Sequence, residues 1–375
     1  MKKFVSAAAT VMMSLIVSLL ACEMMVRIWD GIPFWPPKNM TSHKTSFLNI
    51  ILAAEYDPLL GWRQKPQMSV AKWGLATGEL GIRMNSAEIK PLPARGILAV
   101  GDSFTAGSEV VEDKTYSAQL EQLLNYPVIN GGVGGYGTDQ MILMAETLMP
   151  RLSPAAIVVG ILDDDINRAG LRVYGGAPKP WFQVRDGRLV HHHNPVPAPT
   201  LDDAPRMLRW LAYSYLALWT TERLGWAHVW ERRPYINADN DPIAVSCALI
   251  ERLKQATDAR GIPLYVVMLY SGHERVPIMD PTTEKARPLA VSACSRRMGV
   301  ATIDLLDELV ALSRNDPATY RGLYTRLGPN KDQYGHMTDD GNALVARAIA
   351  ARMTADGFAS RLRSERAEIN AVPYR

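Results

Sequence analysis

The sequence predicts an α/β protein with a doubly wound, mainly parallel five-stranded sheet flanked by helices and a long insertion after the third strand. Two observations predict this class. Short apolar runs alternate with helical segments of roughly ten to twenty residues, which is the pattern of repeated strand–helix–strand units. Several of these runs are almost wholly apolar, as are strands that are buried on both faces of a parallel sheet. With 375 residues, 47% of them apolar, the chain can build such a core.

The predicted elements follow one another from position 96 to position 353. Apolar runs predict strands at 97–100, 127–129, 155–162, 264–269 and 300–303, and helical spacing predicts helices at 115–124, 138–148, 243–260, 285–298 and 339–353. Gly261 and Gly299 end two of these helices. Ligands of a doubly wound sheet bind at the carboxyl ends of its strands, so we expect the chemistry there.

The chain divides into four predicted regions. They are an N-terminal membrane anchor or signal (1–30), a stalk with an irregular docking segment (31–90), the main domain (91–360) and a C-terminal tail (361–375). Pro and Gly interrupt any long helix in the stalk, and its aromatic residues are expected to dock on the domain. The insertion at about 170–240 is far longer than a plain connection, so we expect a lid or a substrate wall.

The N-terminal segment is long enough to cross a membrane. Lys2 and Lys3 precede an uncharged, mostly apolar stretch at 4–22, and about nineteen residues at ~1.5 Å rise approach the thickness of the hydrocarbon core. The lysines favour a cytoplasmic N-terminus. We therefore predict a single-pass anchor in the inner or cytoplasmic membrane, with the main domain on the periplasmic or extracellular side. The segment ending at Cys22 also resembles a lipoprotein box, so lipidation and ordinary secretion stay open.

Composition excludes several classes of function. A net charge of +3 without a basic run is not typical of a nucleic-acid-binding protein. The three cysteines, at 22, 247 and 294, are too few and too scattered for a disulfide framework or a paired zinc site. His191, His192 and His193 alternate between the faces of a predicted strand, and no second cluster completes a ligand set. No metal and no cofactor is expected.

Three segments carry residues suited to nucleophilic catalysis. Gly101-Asp102-Ser103-Phe104 follows the first predicted strand, where a serine hydroxyl is exposed to a substrate carbonyl. Alone, this serine is equally well explained as a helix cap. The stretch from Asn130 to Gly137, with five glycines, follows the second strand, and Asp332-Gln333-Tyr334-Gly335-His336-Met337-Thr338 precedes the last helix.

In this order the segments resemble the blocks of the SGNH (GDSL) hydrolases over roughly 96–353, and 57–62 resembles the D-P-x-L-G-W approach of a membrane-anchored bacterial subset. The resemblance implies an SGNH hydrolase-like, flavodoxin-like fold without a cofactor. It implies Ser103 as nucleophile and His336 as base. It also implies an oxyanion hole formed by the Ser103 amide, Gly135 and an asparagine of the third block.

The third block departs from the family pattern of Gly-x-Asn-Asp. Alignment of Asp165-Ile166 with the family's Asp-Ile places Asp164 at the asparagine. An ionised carboxylate cannot donate a hydrogen bond to an oxyanion and would repel it. Either Asp164 is protonated, or Asn167 substitutes for it, or two backbone amides suffice.

The family's catalytic triad also contains an acid that positions the histidine, and here too the sequence departs from the family pattern. The family spacing is Asp-x-x-His, whereas Gln333 stands at that position and Asp332 is one residue further from His336. An extra loop residue still lets a carboxylate reach an imidazole, so we predict Asp332 as the acid.

The resemblance implies a serine esterase that acts on a small-molecule or glycan ester outside the cytoplasm through an acyl-serine. Two alternatives stay open. An O-acetyltransferase modifying an exported or cell-wall polysaccharide would use the same residues, and Asp164 allows a catalytically impaired carbohydrate-binding module. The expected partners are the ester substrate and the membrane, through the N-terminal helix, and no nucleic acid.

Overall fold

The computed structural model describes residues 2–32, 54–71, 74–198, 211, 213–224, 235–272, 286–327, 333–358 and 360–362. The chain divides into two compact units. One comprises Met1–Leu52, Val173–Pro178 and Ala198–Ile236, and the other comprises Ala53–Arg172, Lys179–Pro197 and Asn237–Arg375. The larger unit contains Ser103 and His336.

The strands are, in chain order, β1 (Ala54–Asp57), β2 (Gly61–Gln64), β3 (Met68–Val70), β4 (Leu75–Thr77), β5 (Ile97–Gly101), β6 (Val128–Gly132), β7 (Ala156–Leu162), β8 (Leu171–Tyr174), β9 (Ala177–Pro178), β10 (Trp181–Arg185), β11 (Arg188–His192), β12 (Tyr235–Asn237), β13 (Leu264–Leu269), β14 (Ala301–Asp304), β15 (Tyr324–Leu327) and β16 (Gln333–Met337). The helices are α1 (Lys2–Trp29), α2 (Ser103–Ala106), α3 (Tyr116–Leu124), α4 (Thr138–Leu152), α5 (Asp163–Ala169), α6 (Tyr215–Arg223), α7 (Pro242–Asp258), α8 (Ala286–Arg297), α9 (Leu306–Asn315), α10 (Pro317–Gly322) and α11 (Asp339–Ala355).

A five-stranded sheet forms the centre of the larger unit, in the order β14–β13–β7–β5–β6. Every pairing within it is parallel. All seven residues of β7 are buried, because helices cover both faces of such a sheet. The doubly wound five-stranded sheet that the apolar runs predict is confirmed.

The strand order fixes where a site can form. From β5 the chain adds β6 on one side, and it then returns to add β7, β13 and β14 on the other side. This is the flavodoxin-like order, and the reversal opens a crevice beside the carboxyl end of β5. Ser103 follows that end directly.

The segment before the sheet is more regular than its Pro and Gly content predicts. Two antiparallel hairpins, β1–β2 and β3–β4, occupy much of the described part of 54–77. Trp62 of this segment is fully buried, and its indole N–H donates to the carbonyl of Gly134 at 3.1 Å.

Part of the region predicted as the insertion is a hairpin of the larger unit, formed by β10 and β11. Trp181 stacks on His192 with ring centroids 3.9 Å apart, and Phe182 stacks on His191 at 4.4 Å. Each of these histidines is thus engaged with an aromatic ring. Among the described residues, no group of three or more His, Cys, Asp or Glu side chains is arranged to hold a metal ion.

A disulfide joins Cys247 of α7 to Cys294 of α8, with Cα atoms 6.1 Å apart, and Cys22 is a free thiol. Cysteine spacing did not indicate this pair, because helix packing brings together two residues that are 47 positions apart. A disulfide is typical of proteins that fold in an oxidising compartment.

In the smaller unit, α1 has a stretch, Thr10–Trp29, that is long and apolar enough to cross a membrane; a signal sequence would have the same character. Its carboxyl-terminal part packs against the start of α6. The Glu23 carboxylate accepts from the backbone N–H groups of Tyr215 and Leu216, at 2.8 Å each. Glu23 therefore caps the free N–H groups at the start of α6.

Candidate active site

Ser103 is the first residue of α2 and sits at the strand-to-helix turn after β5. The Asp102 side chain caps this helix by accepting from the Phe104 N–H at 2.8 Å, and Asp102 is completely buried. The helix ends after one turn at Gly107, which adopts a left-handed conformation. This short, capped turn holds the Ser103 hydroxyl at the carboxyl end of the sheet.

His336 is in hydrogen-bonding contact with the serine. Its Nε2 atom lies 2.9 Å from the Ser103 Oγ atom, although the two residues are 233 positions apart. The antiparallel β15–β16 pair carries the imidazole, and the ring of Phe104 lies beside it with centroids 5.3 Å apart. A nucleophile and a base at this separation are the core of a serine hydrolase site.

The other imidazole nitrogen faces Glu109, whose Oε1 atom lies 3.0 Å from Nδ1. The hydrogen bond from His336 is the largest reason that the pKa of the Glu109 carboxyl lies below its usual value. Because a carboxylate only accepts hydrogen bonds, Nδ1 is assigned the proton and Nε2 the lone pair. Asp332, the acid predicted from the sequence, lies outside the described residues.

A buried charge cluster lies directly behind the serine. One guanidinium nitrogen of Arg168, Nη1, lies 3.0 Å from Asp102 Oδ2 and 2.6 Å from Asp165 Oδ1. Both carboxylate side chains are 0% exposed. Burial, and next the charge of Asp102, raise the pKa of the Asp165 carboxyl well above its usual value, which Arg168 opposes. Arg168 thus lies between two buried carboxyl groups beside Ser103 and opposes the rise in the pKa of Asp165.

Gly135, predicted for the oxyanion hole, follows β6 with φ +77°, a conformation that favours glycine. Trp62 forms hydrogen bonds with the residues on both sides of Gly135. The indole N–H donates to the carbonyl of Gly134 at 3.1 Å, and the Tyr136 hydroxyl donates to the carbonyl of Trp62 at 2.6 Å. The segment resembling D-P-x-L-G-W therefore fixes the loop that presents Gly135.

Asp164 and Asn167, which could replace the oxyanion-hole asparagine of the family pattern, lie in the first two turns of α5. The Asp164 side chain is 58% exposed, and its Oδ2 atom is 3.8 Å from Arg168 Nη2. The Asn167 side-chain carbonyl accepts a hydrogen bond from Arg287. The oxyanion roles of Gly135, Asp164 and Asn167 stay predictions.

Replacement of Asp164 by Asn tests its part in the hole. If the carboxylate opposes the developing oxyanion, Asp164→Asn raises kcat several-fold, which is less than the roughly hundredfold contribution of a pre-organised donor because an exposed side chain is screened by water. Asp113→Asn, at another exposed carboxylate, should leave kcat unchanged. An Asp164→Asn variant with unchanged kcat and pH profile would show that Asp164 lies outside the hole.

No protein-family model and no curated protein matches the chain. Solved structures do match. One, described as a lipolytic protein of the G-D-S-L family from Desulfitobacterium hafniense DCB-2, is 11% identical, covers 69% of this chain and 99% of its own, and gives a TM-score of 0.37. The acetyl xylan esterase AlAXEase is 14% identical over 68% of this chain and 98% of its own, with a TM-score of 0.39.

A catalytic variant of an acetylxylan esterase from Geobacillus stearothermophilus is 12% identical, covers 71% of this chain and 96% of its own, and also gives a TM-score of 0.39. Likenesses this distant decide neither fold nor activity. The fold assignment therefore rests on the strand order, and the chemistry rests on the contact between Ser103 and His336.

Proposed function

We propose that the chain is a serine esterase of the SGNH type that hydrolyses an ester outside the cytoplasm through an acyl-serine intermediate. The observation that carries this proposal is the 2.9 Å contact between Ser103 Oγ and His336 Nε2 at the switch point of the sheet. A formed nucleophile–base pair favours an enzyme over an impaired carbohydrate-binding module.

In the proposed reaction, Ser103 Oγ attacks the ester carbonyl carbon while His336 Nε2 takes its proton. His336 then gives this proton to the departing alcohol, which leaves an acyl-serine. Water, activated by the same imidazole, releases the acid and restores the serine. The backbone amides of Ser103 and Gly135 are the proposed donors to the tetrahedral oxyanion.

The full-length protein in detergent provides the test. We expect a fluorophosphonate probe to label Ser103, and we expect free acid to form from one or more members of a panel of short-chain and glycan acyl esters. Absence of both labelling and hydrolysis would overturn the proposal. Added glycan acceptors separate hydrolysis from transfer, because an O-acetyltransferase would form acylated glycan instead of acid.

We further propose that α1 is an uncleaved single-pass anchor and that the catalytic unit lies on the periplasmic or extracellular side. Lys2 and Lys3 before the span favour this orientation, and the disulfide between Cys247 and Cys294 fits an oxidising compartment.

Thiol counting on the protein isolated from cells tests this location. Under denaturing conditions, a maleimide–polyethylene glycol reagent should modify one cysteine before reduction and all three after it, since Cys22 is free and the other two are bonded. Cys22→Ser should remove the modification seen before reduction. If Cys22 is lipidated, no cysteine should be modified before reduction. Modification of all three cysteines before reduction would contradict an oxidising compartment.

A further inference from the structure

We propose that Glu109 is the carboxylate that positions His336, so that the third member of the catalytic group comes from the segment just after the nucleophile. This inference rests on the proposed function and assigns a residue to it that no sequence pattern indicates. Glu109 would act through His336 and is therefore a positioning residue.

Both oxygens of the Glu109 carboxylate face the segment that carries the base. Oε1 lies 3.0 Å from the His336 Nδ1 atom, and Oε2 accepts from the Thr325 hydroxyl and, at 3.4 Å, from the backbone N–H of His336. One carboxylate thus holds both the imidazole and the backbone of the same histidine. The arrangement fixes the tautomer whose Nε2 lone pair faces the serine.

Glu109 holds an unfavourable backbone conformation to make these contacts. Its φ is +72°, in the left-handed region that residues with a Cβ atom rarely occupy. Such residues persist where the surrounding structure dictates them, and they cluster at functional sites.

Arg83 holds the backbone on both sides of Glu109. Its buried guanidinium donates to the carbonyls of Ala106 (2.6 Å), Gly107 (2.7 Å) and Val110 (2.7 Å), on both sides of Glu109. Burial lowers the pKa of Arg83 to about 10, so the side chain stays charged at neutral pH. Hydrogen bonds from Arg83 therefore hold the backbone before and after Glu109, and this arrangement is called the Arg83 clamp.

The residue before the base leaves room for this carboxylate. A Cβ atom at Gly335 would clash first with the Thr325 hydroxyl oxygen and would also lie 2.9 Å from Glu109 Oε2, closer than real Cβ contacts. The glycine in Tyr334-Gly335-His336 thus leaves room for the hydrogen-bonded pair of Thr325 and Glu109.

The contribution to catalysis follows from the charge on His336. When His336 takes the serine proton it becomes an imidazolium, which an adjacent carboxylate stabilises. A glutamine cannot do this. Its NH₂ group can also donate to Nδ1, which leaves the remaining proton on Nε2 and blocks acceptance from Ser103.

Full-length Glu109→Gln, Asp332→Asn and Glu109→Asp proteins in detergent provide the test. We expect Glu109→Gln to lower kcat about 10²- to 10⁴-fold with little change in KM, and to lose at least ten times more activity than Asp332→Asn. The kcat of Glu109→Asp, which keeps the negative charge, should lie between those of Glu109→Gln and the unmodified protein. Glu88→Gln, at an exposed ion pair with Lys90, serves as the matched control.

A second readout is independent of turnover. The ¹⁵N chemical shifts of His336 in the unmodified protein should report a protonated Nδ1, and Glu109→Gln should move the proton to Nε2. Gly335→Ala should displace the Thr325 hydroxyl together with the Glu109 carboxylate and lower kcat as well, whereas Gly322→Ala, where the added methyl group meets open space, should not.

The outcomes separate this inference from the proposed function. If Asp332→Asn loses the activity and Glu109→Gln keeps it, Asp332 is the acid and the esterase proposal stands. If the unmodified protein hydrolyses no ester, the esterase proposal fails, and the tautomer measurement still decides the role of Glu109. An unchanged tautomer in Glu109→Gln would overturn the inference.

Discussion

Ser103→Ala and His336→Ala are each expected to lower kcat/KM for the best ester substrate by roughly a thousandfold or more, because the nucleophile and its base act as one unit. For the same reason the double variant should be no slower than either single variant. Steady-state hydrolysis and fluorophosphonate labelling measure these losses. Thermal unfolding should be almost unchanged, since both side chains are only partly buried.

Two variants serve as controls for this prediction. Ser86→Ala removes a serine whose hydroxyl donates to the carbonyl of Glu88, and His192→Ala removes a histidine stacked on Trp181. Neither should change kcat/KM by more than about twofold, because neither residue takes part in the contact between Ser103 and His336. A Ser103→Ala protein that keeps more than a few per cent of the activity would contradict the acyl-serine mechanism.

The central sheet and the contact between Ser103 and His336 could be predicted from the sequence because their signals are local. Residues 155–162 form a continuous apolar run bounded by Pro154 and Asp163, and β7 (Ala156–Leu162) occupies it almost residue for residue. Ser103 follows a strand that such a run locates, whereas His336 lies in β16 (Gln333–Met337), which no apolar run predicts, and was found from the order of the motifs. Periodicity and motif order were therefore enough to bring them to one edge of the sheet.

Glu109 could not be found in this way. It faces His336 across 227 residues of chain, and its position depends on the Arg83 clamp and on a left-handed backbone. None of these leaves a pattern around position 109. Arg168 did leave a pattern in the sequence. It follows Asp165 by three residues and Asp164 by four on a helix, which is the spacing at which opposite charges meet.

The β1–β2 hairpin shows how turn residues can be misinterpreted. Pro58 and Gly61 indicated an irregular segment, yet they build the turn that joins two strands. The Asp57 carboxylate accepts from the N–H groups of Leu59 and Leu60, at 2.8 Å each, and Gly61 takes φ +82°. Side-chain capping by Asp, followed by Pro and a left-handed Gly, is turn chemistry and not an absence of structure.

Arg168→Met is expected to lower the stability of the protein more than any surface change. Two carboxylates, those of Asp102 and Asp165, are fully buried on either side of this guanidinium. Removal of one partner of a buried charge network costs about 3–5 kcal/mol because it leaves the other charges unpaired. For a chain of 375 residues, we expect Tm to fall by roughly 4–6 °C, measured by tryptophan fluorescence on the full-length protein.

The pH dependence of this loss identifies its cause. The pKa of Asp165 is raised in the folded protein, so the folded state binds more protons than the unfolded state between the two pKa values, and stability falls as pH rises through the raised one. Without Arg168 the raised value moves higher still. The deficit of Arg168→Met should therefore be larger at pH 8 than at pH 5.

Two further variants decide whether unpaired charge, and not lost packing, is responsible. Arg172→Met removes an exposed arginine four residues along the chain and should leave Tm unchanged. Asp165→Asn introduced into Arg168→Met should restore part of the stability, since the amide removes one buried charge while keeping the side-chain size. If Arg168→Met were as stable as Arg172→Met at pH 8, the two carboxylates would have to be neutral in the folded protein. The electrostatic description of the site would then be wrong.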